Sequence, residues 1–414
     1  MRTRQAEGEQ RVTTLELFFD LVFVFAFTQV TTFLSHDPSW RGLVRGLMVL
    51  GVLWWAWSGY AWLTNAVDPE EGIVRLVVLT AVAALAVVSL AVPRAFGREG
   101  VIFGVAYLVV RGLHLVLFAI AGHWDRDASR PLVRGLAVAM VAPVLLVVAG
   151  FLRGPAQLAL WGAALAILYL GPLLGFMRGF GLSPAHFVER FGLIIIIALG
   201  ESIVAIGVGA AGLPLDAGVI GAALLGVVVS SCLWWSYFDW TVYVSQARLA
   251  EMSGARRADF ARDAFSYLHL PMVAGIVLFA FGLKIVLPDV SGHLSAVPAF
   301  GLFGGIAMYM LGHVGLRLRI GGGLGRGRPI AAVLLLALLP AATAVPAVAA
   351  LGIVAAVCVG VIAYEFLAHR QERAWIRRRR SGFTMDEARE QMQRRARGSR
   401  RRPRSDAVDE AADR

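Results

Sequence analysis

Cysteine and lysine are nearly missing from this 414-residue chain, and charge of either sign is scarce. Its two cysteines, Cys232 and Cys358, lie in apolar segments without companions at metal-ligand spacing, which excludes a disulfide framework and a cysteine zinc site. Lys284 is the only lysine, so arginine supplies the other 38 of the 39 basic residues. Charged residues make up 16% of the chain, which is less than a soluble domain of this length carries.

Familiar catalytic motifs are also missing from the sequence. It contains no HExxH zinc helix, no phosphate-binding P-loop and no GxSxG nucleophile elbow. A carboxylate–histidine enzyme site has no residue spacing to support it. We therefore expect no enzymatic activity, no cofactor and no bound metal.

What the chain does contain is repeated apolar blocks of about 20 residues, the length that spans the hydrocarbon core of a bilayer. Hydrophobic residues make up 58% of the chain, and the mean hydropathy is +0.70. The first block contains Glu16 and Asp20 and is followed by many others. We therefore expect it to be a membrane span of the mature protein and not a cleaved signal peptide. The pattern predicts an all-α polytopic membrane helical bundle. The twelve predicted transmembrane helices are 15–35, 43–64, 73–93, 101–122, 131–152, 156–176, 186–211, 217–243, 264–287, 296–317, 330–347 and 349–367.

The loops differ in charge, and this difference predicts an orientation. Arginines concentrate in the N-terminal segment and in the loops after even-numbered spans, which by the positive-inside rule places both termini in the cytoplasm. We predict a membrane protein with several spans. A basic tail beside the last span favours contact with anionic lipid over nucleic acid. The predicted divisions are an N-terminal segment at 1–14, six-helix repeats at 15–176 and 177–367, and the tail at 368–414.

The two halves resemble each other in sequence. Leu15–Ala26 aligns with Val188–Leu199 at an offset of 173 residues, and Leu53-Trp-Trp aligns with Leu233-Trp-Trp at an offset of 180. With six spans in each half, the repeats would be parallel and related by an axis along the membrane normal. Secondary transporters of this design bind their substrates between the halves near the midplane of the membrane.

Two segments carry a resemblance to a known family. Thr14-Leu-Glu-Leu-Phe-Phe-Asp-Leu-Val-Phe-Val24 and Glu189-Arg-Phe-Gly-Leu-Ile-Ile-Ile-Ile-Ala-Leu-Gly-Glu-Ser202 look like the signature segments of the bacterial low temperature requirement A family. The resemblance runs from about Val12 to Phe366 and leaves out the basic tail. It implies a polytopic protein of the cytoplasmic membrane of a bacterium, from a family that is named for growth in the cold. The motif residues in this sequence are Glu16, Asp20, Glu189, Arg190, Gly200 and Glu201.

Glu201 is the leading candidate for a functional site. It lies far along an apolar segment, where a carboxylate is expensive and marks a functional site by default. It follows Glu189 by twelve residues, or about 18 Å of helical rise, which puts it beyond the midplane. Ser202 follows it, and Thr28 is its aligned counterpart in the first half. The competing interpretation is a paired structural charge.

Glu16 and Glu189 have simpler explanations at the starts of helices. Thr13 and Glu16 form a capping-box pattern, and Glu189 follows a helix start opened by Ser183 and Pro184. Arg190 is expected to lie near the cytoplasmic surface, where it snorkels or pairs. Asp20 lies one turn past Glu16, too far for capping. It is either a packing salt bridge or an ion or proton site.

Arg111 lies near the middle of the fourth predicted span, and His114 follows one turn later. A buried arginine stays charged and needs an anion, which is either a protein carboxylate or a substrate. Glu201 and Asp20 are the available carboxylates. His114 is either a titrating group or a structural histidine bonded to a carbonyl. His313, in the corresponding span of the second half, and Asp239 are secondary candidates.

Two functions fit these residues. The first is a transporter or permease that passes a proton, another ion or a small solute across a cavity lined by Glu201, Asp20, Arg111 and His114. The second is a structural or sensory membrane protein that supports growth in the cold without transport, and it predicts that every buried polar group is paired.

Overall fold

A computed structural model of the chain describes residues 12–122, 129–174 and 182–368 and is helical throughout them. The predicted basic tail and most of the predicted N-terminal segment lie outside these residues. The α-helices in chain order are α1 (Thr14–His36), α2 (Trp40–Ala66), α3 (Gly72–Ala91), α4 (Gly100–Gly122), α5 (Ser129–Phe151), α6 (Gly154–Leu170), α7 (Pro184–Ala210), α8 (Ala217–Ser236), α9 (Val242–Ala250), α10 (Gly254–Ala261), α11 (His269–Val286), α12 (Ala296–Ile320), α13 (Gly327–Ala337), α14 (Leu339–Ala342) and α15 (Ala347–Ala368).

Local sequence explains where several helices begin and end. Thr13 and Glu16 form the predicted capping box at the start of α1, so the structure confirms that interpretation. Ser39 and Asp216 cap α2 and α8 through their side-chain oxygens. Gly321 ends α12 with a φ of +97°, a left-handed conformation that favours glycine.

Ten helical segments in the described part of the chain are long and apolar enough to cross a membrane. Two of them join neighbouring helices through π-helical turns, at Tyr237–Thr241 between α8 and α9 and at Arg262–Tyr267 between α10 and α11. Such turns often occur at functional sites because they leave backbone groups open to other partners. The predicted count of twelve spans includes two segments whose described apolar helices are shorter, Val138–Phe151 and Gly327–Ala337.

The eleventh predicted span, 330–347, does not form one continuous helix. Helix α13 ends at Ala337, the four-residue α14 follows, and the chain turns before α15 begins at Ala347. Pro340 and Pro346 interrupt this stretch. Proline lacks a backbone donor and clashes with the preceding turn, which accounts for the break.

Apolar side chains face both inward and outward, as a membrane bundle requires. Helices α2, α11 and α12 are buried along most of their length. Helix α3 exposes an apolar stripe that includes Ile73, Leu76 and Leu90. An exposed apolar face of this kind suits lipid better than water.

The helices form two groups with the same order of neighbours. In the first group α1 packs against α2 and α3, and the chain of contacts continues through α4, α5 and α6 back to α2. In the second group α7 packs against α8 and α11, and the contacts continue through α12, α13 and α15 back to α8. A proline-containing 3₁₀ turn follows α3 in the first group and α11 in the second. The groups meet where α1 and α2 contact α7 and α11.

Glycines bring α11 and α12 into close contact. A Cβ added at Gly275 would lie 2.3 Å from the carbonyl oxygen of Gly305, so no larger residue fits without movement of the backbone. Small residues at helix contacts are a usual means of packing membrane helices closely.

We predict that Gly275→Ala separates α11 from α12 and destabilises the protein by about 1–3 kcal/mol, the usual effect of overpacking a tight core. Gly207→Ala is the matched control, because it is also a helical glycine but has no atom within 4 Å of its added Cβ. Thermal unfolding in detergent micelles measures both variants. Equal unfolding temperatures for the two would contradict the close contact.

Candidate functional site

Helices α1 and α7 lie side by side and run in the same direction. Polar contacts join them in the same order along both helices, and each of these contacts pairs residues 170 positions apart. The polar candidates from the two signature segments therefore face each other across the junction between the two helix groups. The three contacts are Glu16 with His186, Asp20 with Arg190, and Thr31 with Glu201.

The N-terminal cluster consists of Glu16, Asp20, His186 and Arg190, and all four side chains are buried. Arg190 Nη2 donates to Asp20 Oδ1 at 2.9 Å, and Arg190 Nη1 lies 3.4 Å from Glu16 Oε1. Trp57 Nε1 also donates to Asp20 Oδ1, at 2.9 Å. One guanidinium is thus shared by two carboxylates, which is an arrangement that holds α1 against α7.

Hydrogen bonds fix the orientation of the His186 ring. Asn65 Nδ2 donates to His186 Nδ1 at 3.0 Å, and His186 Nε2 lies 3.1 Å from Glu16 Oε2. Because Nδ1 accepts from the amide, Nε2 carries a proton and donates to the carboxylate. Asn65 Oδ1 in turn accepts from the backbone N–H of Ser183 at the start of α7. The cluster is therefore a connected polar network that also involves α2.

The lysine cluster consists of Thr28, Thr31, Glu201 and Lys284 and lies further along the same two helices. Lys284 Nζ is 3.2 Å from Glu201 Oε1 and donates to Thr31 Oγ1 at 2.6 Å. Thr31 Oγ1 donates to Glu201 Oε1 at 2.6 Å, and Thr28 donates to Glu201 Oε2. Glu201 is 0% exposed. Thr31 follows Asp20 by eleven residues, so the two clusters are about 16 Å apart along α1.

The suggested pairing of Arg111 with Glu201 or Asp20 is wrong. Glu201 is paired with Lys284, and Asp20 is paired with Arg190. Arg111 lies on α4, in the first helix group, whereas these ion pairs lie at the junction of α1, α7 and α11. Helical spacing within one segment could not reveal which helices pack together.

Arg111 instead belongs to a separate cluster with Tyr107 and His114. Arg111 Nε and Nη1, His114 Nδ1 and the Tyr107 hydroxyl are all buried without a hydrogen-bond partner among the described residues. His114 Nε2 lies 3.0 Å from the carbonyl oxygen of Gly59 on α2. The carbonyl interpretation of His114 therefore applies to one of its two nitrogens.

The remaining predicted site residues lie outside the ion pairs of the N-terminal cluster and the lysine cluster. Ser202 is fully buried, and its hydroxyl has no hydrogen-bond partner within the described ranges. Glu189 is exposed and accepts the N–H of Val12 at 3.3 Å. Asp239 is half-buried in the first π turn. His313 Nδ1 on α12 accepts from Arg328 Nη1 at the start of α13, at 2.8 Å.

Two residues of the sites have more specific roles than the sequence indicates. Of the two interpretations of Arg190, pairing is confirmed and snorkelling is wrong, because the side chain is 0% exposed within the N-terminal cluster. Lys284 lies in the last turn of α11, within the predicted span 264–287, and it is the partner of Glu201, which helical spacing does not reveal. A signal for Lys284 was present, because it is the single lysine in a chain that otherwise uses arginine.

Chemically, the lysine cluster is a buried ion pair bordered by hydroxyl groups. It contains one carboxylate, one ammonium and two hydroxyls on three helices. In the described parts of the chain, no group of three or more His, Cys, Asp or Glu side chains could hold a metal ion.

We predict that Arg190→Gln destabilises the protein by about 3–5 kcal/mol, because it leaves two buried carboxylates without their cation. The matched control is Arg153→Gln, since Arg153 is exposed before α6 and donates only to nearby carbonyls. That change should stay within about 0.5 kcal/mol. Unfolding in mixed micelles measures both, and similar stabilities would contradict a structural role for Arg190.

Comparison with known proteins identifies the family. The profile of the family described as bacterial low temperature requirement A protein matches residues 11–363. An uncharacterized protein of Rhizobium meliloti (strain 1021) is 31% identical over 280 residues, which cover 64% of this chain and 67% of that protein. No solved structure matches the chain. The match includes both signature segments and all the clusters described above, and the chain belongs to the bacterial low temperature requirement A family.

Proposed function

We propose that the protein is a membrane transporter in which the Glu201–Lys284 pair binds and releases a proton during each transport cycle. The observation that carries this proposal is the identity of the cation. The only lysine of a chain with 38 arginines is buried against the fully buried carboxylate of a signature segment.

Lysine and arginine differ in whether the buried side chain can give up its proton. A guanidinium keeps its charge even when buried, so it suits a permanent ion pair such as that of Arg190 with Asp20. A lysine ammonium can give up its proton in a buried site. A proton arriving at Glu201 would neutralise the carboxylate and weaken its attraction to Lys284. The pair therefore couples proton binding to the contact of α1 and α7 with α11.

The described conformation would be a closed state in this cycle. Glu201 is 0% exposed, and Lys284 is 7% exposed. Exchange with solvent therefore requires the helices around the pair to move apart. Thr28 and Thr31 hydroxyls would then remain to hydrogen-bond the carboxylate on α7. Buried ionisable groups that meet at such a junction recur in the proton relays of transporters.

The proposal also includes two parallel six-helix repeats that rock against each other. It is supported by the matching order of neighbours in the two helix groups and by the 3₁₀ turn that follows α3 and α11. The parallel contact of α1 with α7, which are corresponding helices in the sequence alignment, is the geometry expected near a pseudo-twofold axis. Thr28 hydrogen-bonds Glu201, its aligned counterpart.

A purely structural or sensory role predicts that buried polar groups are paired. Arg111, His114 and Tyr107 have buried polar atoms without hydrogen-bond partners in the described part of the chain, which favours transport. We further propose that the protein carries out no chemical conversion and resides in the bacterial cytoplasmic membrane. Both termini would face the cytoplasm, with the basic tail against anionic lipid.

The test is proton flux in proteoliposomes. We predict that Glu201→Gln folds and reduces flux to the level of empty liposomes, because the amide cannot take up a proton. Lys284→Arg should also fold, since it keeps the positive charge beside Glu201, and should also lose flux because the guanidinium does not release its proton.

The matched control is Glu365→Gln, which changes another largely buried carboxylate whose partner is an arginine, Arg328. Flux per folded molecule should be retained in this variant. Wild-type flux in Glu201→Gln would remove the pair from the mechanism. Wild-type flux in Lys284→Arg would show that only the charge of Lys284 is needed.

A further inference from the structure

Arg111 is a buried cation that pairs with no carboxylate among the described residues. Its side chain is 4% exposed, and its Nε and Nη1 groups have no hydrogen-bond partner in the described part of the chain. The carboxylates proposed for it, Asp20 and Glu201, are held by other cations. An arginine stays charged in such a place, and an uncompensated charge inside a membrane is costly. The charge therefore calls for an anion from outside the protein.

The groups around Arg111 are arranged as a binding site. Tyr107, Arg111 and His114 follow one another at intervals of four and three residues, so they share one face of α4. Tyr107 has an unpaired buried hydroxyl. His114 Nε2 donates to the Gly59 carbonyl, which can only accept, so Nδ1 of the neutral ring is left with an open lone pair.

Space at this site depends on a glycine of α2. A Cβ added at Gly59 would lie 2.9 Å from Arg111 Nη1 and 3.1 Å from His114 Nε2. Arg111 Nη1 and His114 Nε2 therefore lie against the backbone of Gly59, and a larger residue at this position would displace both groups.

We infer that Arg111 and Tyr107, which both offer unused donors, form a binding site for a small monovalent oxyanion, such as a carboxylate. One charge on the ligand balances the single cation of the site. Guanidinium N–H groups bind the oxygens of carboxylates and similar anions in preference to a spherical ion, and the Tyr107 hydroxyl can donate to the same ligand. This inference rests on the proposed transport function, in which the oxyanion would be the substrate that moves with the proton of Glu201.

The test is thermal unfolding of the purified full chain in micelles, with sodium acetate replacing sodium chloride at constant ionic strength. A ligand that binds the folded state raises the unfolding temperature with its concentration. We expect acetate to stabilise the wild type. Arg111→Gln should raise the half-saturating acetate concentration at least about tenfold, because it removes a charged hydrogen-bonding partner. Arg153→Gln, at an exposed arginine, should respond like the wild type.

A second variant covers the case in which Arg111→Gln does not fold. Tyr107→Phe removes only the unpaired hydroxyl and keeps the ring that stacks on Phe103. We expect Tyr107→Phe to raise the half-saturating acetate concentration by about threefold to tenfold, because the variant loses one hydrogen bond to the ligand. An acetate response that is identical in the wild type, Arg111→Gln and Tyr107→Phe would overturn the site. The site would also be overturned if acetate raised the unfolding temperature of the wild type no more than chloride does.

Glu201→Gln separates this inference from the proposed function. It should keep the acetate response while losing proton flux. A wild type with proton flux but no acetate response contradicts the oxyanion site and leaves the transport proposal standing. An acetate response together with full flux in Glu201→Gln contradicts the transport mechanism and leaves the site standing.

Discussion

The parallel contact of α1 with α7 is the constraint on which the rest of the structure depends. Its charged side chains are buried, where an unpaired charge is costly, so ion pairs between neighbouring helices stabilise them. Arg190 holds Glu16 and Asp20 near the starts of both helices, and Glu201 is held further along by Thr31 and Lys284. Because these contacts keep the two helices in register, they also fix how the two helix groups meet.

Two kinds of ion pair lie at this junction, and they differ in their cation, which is arginine in one pair and lysine in the other. The N-terminal cluster uses an arginine with fixed charge and is tied to α2 through Trp57 and Asn65, which suits a permanent connection. The lysine cluster uses an ammonium group and joins α1 and α7 to α11. The proposed transport cycle would use both ion pairs: a permanent one near the starts of the helices and one further along that can separate. Arg111 lies apart from both pairs, in the first helix group.

Much of the fold could be predicted from the sequence, because bilayer thickness and backbone hydrogen bonding leave few choices for long apolar segments. The capping box at Thr13 was predictable because it depends only on residues three positions apart. The partners of the buried charges were not predictable, since they depend on which helices are neighbours. Glu201 was correctly located in a buried helix, and Lys284 was correctly located near the end of the predicted span 264–287, but the spacing of neither residue indicates that the two pair. The break near Pro340 shows that proline can also outweigh apolar length.

The proposed transport cycle requires Glu201 to change its protonation state while the protein stays folded. Infrared difference spectroscopy of the protein in membranes measures this directly, because a protonated carboxyl has a carbonyl stretch that a carboxylate lacks. We predict a protonated-carboxyl component that grows as the pH falls in the folded wild type and is lost in Glu201→Gln, whereas the bands of the other carboxyl groups are common to both proteins. A Glu201 that stays ionised at every pH at which the protein is folded would contradict it.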